Sequence, residues 1–313
     1  MMIDHQMAGG KFGAITQWTG PDFGTYMEGH EYEIGGQNQT VQGAGDGYYD
    51  TMLASLYLDD ADGMEHYRLV HESEQYALVG GLSQMHPQTG ELIDVPLNSQ
   101  PLFDGWTNQS AEYAAFIDQS RQTGEAVPHP TMQGVNVHEG HVVSSVKTFE
   151  RVEGATLEGQ VDIDGTHENA TVSAFVELET EPGRTFFYTQ QADLEEDGSF
   201  ELRVPYATTE DVGPEDGYTE SSVEATGDYT IIVGDEIGFQ QDFAGETEVP
   251  EMAVIDGETV EVELEEVEEV EPPEEDEDVD EDEEVEPPEE DEEVEDDDET
   301  EVDDEEADDD EDQ

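Results

Sequence analysis

Acidic side chains constrain the fold of this chain more than any other feature of its sequence. Its 313 residues include 87 aspartates and glutamates but only 7 lysines and arginines, which gives a formal net charge of −80. Repulsion at this density opposes a compact state at low ionic strength. In about 1 M salt the Debye length falls to roughly 3 Å, and most of this repulsion is screened. We therefore expect a fold that requires molar salt, as in extreme halophiles.

The last 49 residues, 265–313, contain 36 of the acids and no base, and the motif "VEPPEEDE" occurs there twice. Such a segment buries too little apolar surface to offset its ordering entropy, so we expect a disordered acidic tail. The 264 residues before it keep 51 acids beside all seven bases, so the folded part is acidic as well. Because no basic stripe could neutralise phosphates, we expect no nucleic-acid partner.

Several classes of site and segment are excluded by composition. The chain has no cysteine, so it can form neither a disulfide nor a thiolate metal site. Its start, "MMIDHQMAGG", lacks the basic and apolar regions of a signal peptide. No run of about 18 apolar residues predicts a transmembrane helix. We expect a chain that has no export signal or membrane span of its own.

Residues 1–145 mix helix and strand signals. "GYYDTMLASLYL" carries apolar residues at helical spacing, with Tyr49, Met52, Leu53, Leu56 and Tyr57 expected on one face. "YRLVHE" alternates like a strand, with Tyr67, Leu69 and His71 expected on one side. "NQSAEYAAFIDQSRQTGE" predicts a second helix. The stretch between them is expected to be rich in loops because three prolines interrupt it: Pro87, Pro96 and Pro101.

Residues 146–264 have a different pattern, in which short β-branched and aromatic runs recur about every ten residues. This spacing is typical of an antiparallel β-sandwich. Within it, "ADLEEDGSFELRV" predicts a hairpin with Asp197-Gly198 in the turn. We therefore expect an α+β fold: a mixed α/β region over 1–145, a β-sandwich domain over 146–264, and the acidic tail over 265–313.

Motifs for self-contained chemistry are weak. "DDADGMEH" and "DLEEDGSF" suggest calcium loops, but Val204 stands where the second would need its bidentate glutamate. "HEGH" places His138 and His141 three apart, which is not a zinc-protease pattern and is more typical of a solvated strand end. No nucleophile elbow or phosphate-binding fingerprint is present. We expect no metal site and no catalytic residue in this chain.

Three sequons, at Asn38, Asn108 and Asn169, are candidate glycosylation sites. In a domain outside the cell we expect some of them to be glycosylated, and otherwise they would be ordinary polar surface.

Several longer stretches, in conserved order, resemble the C-terminal extracellular region of archaeal oligosaccharyltransferases of the archaeal glycosylation protein B family, above all those of halophilic archaea. They include "YYDTMLASLYLDDADGMEHYRLVHES", "VKTFERVEGATLEGQ" and "FFYTQQADLEEDGSFELRVPYATTEDVGPEDGYTESSVEATGDYTI". The resemblance implies transfer of a glycan from a dolichyl phosphate carrier to the asparagine of an Asn-x-Ser/Thr sequon.

The start, "MIDHQMAGGKFGAI", is similar to a family segment that helps hold the acceptor's serine or threonine. There an aspartate is followed at three by lysine. Here Asp4 fits, Met7 stands where lysine is commonest, and Lys11 comes seven after Asp4. The three would share one face of a helix. Gly9-Gly10 would weaken that helix by roughly 1–2 kcal/mol, so a kink or loop is equally admissible.

"HYRLVHES" resembles a family stretch beyond the catalytic motifs, which gives His66, Tyr67 and Arg68 structural or interdomain roles. Arg68 would pair with a carboxylate of the following sandwich or of a membrane half. The alternative is a surface salt bridge, which would contribute only a few tenths of a kcal/mol.

The family's many-pass membrane half and its Trp-Trp-Asp-Tyr-Gly motif have no counterpart here, where Trp18 and Trp106 are the two tryptophans. The resemblance therefore implies a C-terminal fragment of an enzyme at the extracellular face of the cell membrane. The full-length enzyme would use Mn or Mg, with the ligands outside this chain. Its partners would be the membrane domain, the acceptor sequon and the dolichyl-linked glycan. The competing interpretation is a non-enzymatic, acidic cell-surface β-sandwich protein.

Overall fold

Strands dominate the structure, as the β-branched and aromatic runs predict. The computed structural model describes residues 1–20, 22–34, 36–102, 110–162, 170–209, 211–234 and 241–267. The acidic tail was expected to be disordered from residue 265, but Glu265–Glu266 form a short strand, which corrects its first residues. The rest of the expected tail, from position 268 onward, lies outside the described residues. In the described part, no helix combines the length and apolar character that a bilayer crossing requires.

Most helices are short and occupy the first half of the chain. The α-helices of the described residues are α1 (His5–Ala8), α2 (Phe12–Thr19), α3 (Asp46–Tyr49), α4 (Met52–Tyr57), α5 (Ser110–Thr123) and α6 (Glu251–Asp256). Short 3-10 helices lie at Phe23–Tyr26 and Pro214–Asp216.

The strands run through both halves of the chain. The first nine are β1 (Met2–Asp4), β2 (Met27–Ile34), β3 (Gln37–Ala44), β4 (Tyr67–Glu72), β5 (Tyr76–Met85), β6 (Leu92–Pro101), β7 (Val127–Pro128), β8 (Val135–Ser144) and β9 (Val146–Arg151). The later ones are β10 (Ala155–Gln160), β11 (Thr171–Thr180), β12 (Thr185–Asp193), β13 (Ser199–Val204), β14 (Val223–Ala225), β15 (Tyr229–Gly234), β16 (Gln241–Thr247), β17 (Thr259–Glu261) and β18 (Glu265–Glu266).

Three antiparallel assemblies form the first part. Strands β6, β5, β8 and β7 make one sheet in that order, and β2 and β3 form a hairpin. Strand β9 lies between β1 and β4 in a three-stranded sheet. Helix α5 covers the β5–β8 sheet with Ile117, which packs with Leu78 and Val137 in a small core of its own.

Two facing sheets form the second part, which confirms the expected α+β fold with a β-rich sandwich. One sheet has the order β13-β10-β17, where β10 and β17 are parallel. The other has the order β12-β11-β15-β16-β18, with β14 beside β11. Alternate residues of β11 are buried, as the period of a half-exposed strand requires. Both sheets contribute to one hydrophobic core, β10 and β13 through Leu157 and Leu202, β11 and β15 through Val172 and Ile231.

That core continues into the first part. Ile3, Tyr57, Leu69 and Phe149 belong to the same buried cluster as the sandwich residues, and residues Met1–Glu268 cluster as one compact unit. The boundary between residues 145 and 146 stays a prediction. At that position β9 pairs with β1 and β4, which both come from the N-terminal side.

Two local predictions in the first part were wrong. Strand β6 occupies Leu92–Pro101, where a loop was expected. Prolines are tolerated there because β6 is an edge strand and Pro96 lies at its bulge opposite Gly80 and Leu82. The single helix expected over residues 47–58 is divided into α3 and α4. The Thr51 hydroxyl accepts from the Ala54 amide and caps α4. As a result Met52 lies 45% exposed rather than on the buried face.

Strand β4 was predicted correctly, but its buried side was not. Tyr67, Leu69 and His71 were expected on one side, yet Arg68, Leu69 and Val70 are all buried and His71 is exposed. The cause is a bulge between Leu69 and His71 in the pairing with β9. An extra residue in one strand reverses the alternation beyond it.

The expected hairpin over residues 192–204 keeps its turn but not its ladder. Gly198 has a φ of 80°, and its amide donates to the Glu195 carbonyl. The strands on either side then separate, because β12 pairs with β11 and β13 pairs with β10. The turn thus connects the two layers of the sandwich.

Candidate functional site

Asp4 ends β1 and begins α1. Its carboxylate accepts from the Met7 amide at 3.0 Å, which is the usual cap of a helix N-terminus. The thioether of Met7 is half-buried against the main core. Asp4 and Met7 are therefore held in one short turn.

Lys11 does not continue that helix. Helix α1 ends at Ala8, and Lys11 is the N-cap residue of α2. The chain turns at Gly9 because the backbone lies against β6: a Cβ on Gly9 would come 2.4 Å from the Ser99 Cβ. The single helical face expected for residues 4, 7 and 11 is thus absent, and the admitted alternative of a break at Gly9-Gly10 is present. Lys11 is exposed and has no ion pair among the described residues.

Three neighbouring elements fix this N-terminal turn. The His5 amide donates to the Ser145 carbonyl at 2.9 Å, and the Tyr48 hydroxyl donates to the Ala8 carbonyl at 2.6 Å. The Gly10 amide donates to the Ser99 hydroxyl at 3.3 Å. Asp4 is therefore held in a set position, while the Lys11 side chain extends into solvent.

Arg68 is buried, with 5% of its surface exposed, and binds two carboxylates. Its Nη1 and Nη2 donate to Glu251 on α6 at 2.8 and 2.6 Å, and Nε and Nη2 donate to Glu150 on β9 at 3.2 and 2.8 Å. Burial alone would lower the pKa of Arg68, but the hydrogen bonds and charges of the two glutamates raise it overall. His66 and Tyr67 are less enclosed, and the His66 Nδ1 lies 3.2 Å from the Val152 carbonyl oxygen. The interdomain role of the three residues stays a prediction.

A second buried ionic cluster, centred on Asp60, was missed from the sequence. The Lys147 ammonium lies 2.6 Å from Asp60 Oδ1, and the Arg184 guanidinium donates to both Asp60 oxygens at 2.9 and 3.1 Å. Arg184 also binds Glu72, whose side chain is fully buried. Burial would raise the pKa of Asp60, but the charges of Lys147 and Arg184 lower it overall.

The turn that carries Asp60 has an unusual backbone, although its sequence is that of an ordinary acidic turn. Asp60 and Ala61 both have positive φ, at 56° and 65°, inside the stretch "DDADG". Such backbone is uncommon for residues other than glycine and persists where surrounding contacts hold it. The partners of Asp60 lie 87 and 124 residues later in the chain.

The histidines of "HEGH" are not at a solvated strand end, which corrects that expectation. Both lie within β8, and His138 is fully buried with its Nε2 3.1 Å from Asp94 Oδ1. His141 contacts Arg121 Nη1 at 2.6 Å through Nδ1. No group of three metal-ligating side chains occurs among the described residues.

Of the three sequons, Asn38 lies exposed on β3. Asn108 and Asn169 fall outside the described residues, as does Trp106. Glycosylation of any of the three stays a prediction.

Residues 154–260, which form most of the sandwich, match the family described as the Archaeal glycosylation protein B long peripheral domain. A dolichyl-monophosphooligosaccharide–protein glycotransferase of Haloferax volcanii is 46% identical over 89 residues, 28% of this chain and 8% of the relative. The dolichyl-phosphooligosaccharide-protein glycotransferase 3 of Archaeoglobus fulgidus is 28% identical over 179 residues, 52% of this chain and 18% of the relative.

Solved structures show the same fold. An oligosaccharyltransferase of Archaeoglobus fulgidus in complex with Zn and sulfate superposes with a TM-score of 0.54 at 19% identity, covering 83% of this chain and 32% of the other. A second, tethered with an acceptor peptide that contains an NVT sequon, gives the same TM-score at 20% identity over 83% and 30% of the two chains. The chain thus spans less than a third of the length of these relatives. The match of residues 154–260 to the long peripheral domain of archaeal glycosylation protein B thus lies within a chain whose fold is similar to that of solved archaeal oligosaccharyltransferases.

Proposed function

We propose that the chain is the C-terminal globular part of a haloarchaeal dolichyl-phosphooligosaccharide–protein glycosyltransferase, the enzyme class that N-glycosylates Asn-x-Ser/Thr sequons. The observation that carries the proposal is the match of residues 154–260 to the peripheral domain, together with 46% identity to the Haloferax volcanii relative. The acidic composition agrees with such a source, since the self-repulsion of a net charge of −80 is largely screened in strong salt.

In this proposal the N-terminal turn serves the acceptor. Asp4 is fixed by the Met7 amide at the end of β1, and the exposed Lys11 has no ion pair in the described part of the chain. In a body with so few bases, an unpaired ammonium is available to donate to the sequon hydroxyl. Its contribution would be orientation of the acceptor, where misplacement by about 1 Å can cost on the order of a hundredfold in rate.

Glycan transfer would need groups that these residues do not supply. The described residues hold no cluster of three metal-ligating side chains, so they do not fit a catalytic Mn or Mg site and we route no step through a metal here. Donor binding and activation of the acceptor amide belong, in this proposal, to a membrane portion at the extracellular face. Asp4, Met7, Lys11 and the body that holds them would supply only the acceptor side.

Two measurements test the proposal. The purified 313-residue chain, incubated with a dolichyl-linked donor and an Asn-x-Thr peptide in molar KCl, should transfer no glycan with or without Mn²⁺. Joined behind the membrane portion of the Haloferax volcanii relative, in place of that protein's matching region, it should support transfer. Transfer by the chain alone would contradict the proposed division of roles. A folded but inactive hybrid would instead favour a non-enzymatic surface protein.

A further inference from the structure

A cavity of about 180 Å³ lies between α5, β8 and the turn after α4. Three of the chain's seven basic side chains line it: Arg121, Lys147 and Arg184. Such a concentration is unusual in a protein with 87 acidic residues. The cavity contains neither Asp4 nor Lys11, so it is separate from the N-terminal turn.

The bases that line the cavity have more donors than the neighbouring carboxylates can satisfy. Arg184 uses four of its five N–H groups on Asp60 and Glu72. Lys147 donates to Asp60 and, at 2.8 Å, to the Tyr57 carbonyl. Its third N–H has no oxygen acceptor among the described residues. Arg121 has the largest surplus, as described next.

Arg121 binds one carboxylate, from Asp118, at 2.5 Å through Nη2. Its Nη1 faces the His141 ring, with Nδ1 at 2.6 Å and Nε2 at 3.0 Å. The guanidinium carries five N–H groups. A neutral imidazole has one acceptor nitrogen, so Arg121 uses one N–H on His141 and one on Asp118. Its other three N–H groups, on a side chain that is 31% exposed, have no partner in the described part of the chain.

Three carboxylate oxygens at the cavity already accept hydrogen bonds from its bases. Both oxygens of Asp60 accept from Lys147 or Arg184. The charged groups lining the cavity are three cations and two carboxylates, Asp60 and Asp118, and the latter is 55% exposed. Glu72 balances Arg184 without lining the cavity. The space inside therefore faces a surplus of hydrogen-bond donors.

A buried hydroxyl adds an independent observation. Ser144 is 2% exposed and lines the cavity, yet its Oγ has no hydrogen-bond partner among the described residues. Tyr76, its partner across the β5–β8 ladder, lines the cavity too, so the Ser144 side chain is on that face of the sheet. A buried, unsatisfied hydroxyl costs about 1–3 kcal/mol, so such groups usually have a bound partner.

His141, which also lines the cavity, is affected by the neighbouring positive charges. Burial, and then the positive charges of Arg121 and Lys147, lower the pKa of His141 to about 3. The imidazole is therefore neutral at physiological pH and adds no charge. Leu58, Ala114 and Val143 complete the walls with apolar surface.

We propose that this cavity binds a small inorganic monoanion, chloride at the salt concentrations that the composition requires. A water molecule occupies about 30 Å³ in the liquid, so about 180 Å³ holds one halide with a few waters but not a glycan or a peptide. The N–H groups of Arg121 and the hydroxyl of Ser144 would be its donors. The bound anion would accept from donors that the carboxylates of the cluster leave without a partner.

Halide binding can be measured separately from salt screening. Thermal unfolding of the full chain is followed at a constant 3 M potassium while gluconate, a six-carbon sugar acid much larger than a halide, is replaced stepwise by chloride. The wild-type midpoint should rise by about 2–4 °C and then saturate. Crystals grown in KBr should show a bromide anomalous peak within the cavity.

Two variants of cavity residues and one control variant test which groups bind the halide. Arg121→Gln and Ser144→Ala should each lose at least half of the saturable rise. Arg151→Gln is the control, because Arg151 is exposed and pairs only with the exposed Glu153. Should Arg121→Gln fail to fold, the chloride response of Ser144→Ala and the presence of the bromide peak test the proposal. An equal chloride response in all four proteins, a rise without saturation, or water alone in the cavity would overturn the proposal.

Discussion

Arg68 binds Glu251, which lies 183 residues later in the chain, through two hydrogen bonds of 2.6 and 2.8 Å. The pair joins β4 to α6, and Glu150 completes the coordination of the guanidinium from β9. One of only seven bases is therefore placed where two carboxylates would otherwise be partly buried without a counter-charge. This explains why an arginine stands in "HYRLVHES".

Removing that arginine should destabilise the fold strongly. Arg68→Ala leaves Glu150 and Glu251 unpaired at a site where the arginine was 5% exposed, and breaking such a pair costs about 3 kcal/mol. Urea unfolding in 3 M KCl measures the loss. Arg151→Ala removes an exposed pair and should change the free energy of unfolding by less than about 0.5 kcal/mol. Equal effects of the two substitutions would show that Arg68 is an ordinary surface residue.

The turn between α1 and α2 should tolerate a methyl group at one glycine and not at its neighbour. Gly9→Ala places a Cβ 2.4 Å from the Ser99 Cβ and 2.8 Å from the Asn98 carbonyl oxygen. Relieving this overlap requires backbone movement and should cost about 1–3 kcal/mol. Gly10→Ala meets nothing closer than 3.8 Å and serves as the control. Similar unfolding midpoints for the two variants would mean that α1 does not rest on β6.

Local patterns predicted many elements because their cause lies within a few residues. The alternation of β11 and the glycine turn at Gly198 follow from side-chain period and backbone freedom. The bulge in β4 could not be predicted, because it depends on pairing with β9 about 80 residues later. For the same reason the turn at Gly198 was predicted, whereas the separation of its two flanking strands into different sheets was not.

The site residues divide in a similar way. Asp4 was identified as a candidate from its resemblance to a family segment, and its role as a helix cap is local. The carboxylates that pair with Arg68 and Arg184 could be identified only from the fold, since a sequence with 87 acids offers far too many candidates. Asp60 is distinguished by its positive φ, which the sequence "DDADG" does not predict.

His141 should make stability depend on pH. Its pKa in the folded state is about 3, below the value of 6.5 for a free histidine, because of burial and the charges of Arg121 and Lys147. Between these values the unfolded state binds a proton that the folded state does not. Stability should therefore fall as the pH drops below about 6.5, by up to about 1.4 kcal/mol per pH unit from this group.

The comparison is made between wild type and His141→Gln by urea unfolding in 3 M KCl from pH 7.5 to 5. The variant should lose that share of the pH dependence, while His71→Gln, at an exposed position, should follow wild type. A slope unchanged in His141→Gln would contradict an enclosed, neutral imidazole at this position.

Folding should require salt because 51 acids face seven bases in residues 1–264. Circular dichroism should show a native, strand-rich spectrum and cooperative unfolding in molar KCl or NaCl. Below a few hundred millimolar the chain should expand, since the Debye length then approaches 10 Å and like charges interact. Cooperative unfolding in dilute buffer would contradict the halophilic interpretation.

The most direct test of the account is the initial rate of glycan transfer by the hybrid with the Haloferax volcanii membrane portion, measured against the concentration of an Asn-x-Thr peptide in molar KCl. We predict transfer by the hybrid, and a Lys11→Ala variant whose peptide KM rises more than its kcat falls, as expected for lost acceptor binding. Arg151→Ala, which removes a different exposed base, should leave both constants unchanged. A folded hybrid without activity would contradict the proposed function. An active hybrid in which Asp4, Met7 and Lys11 can all become alanine without effect would instead contradict the acceptor role of the N-terminal turn.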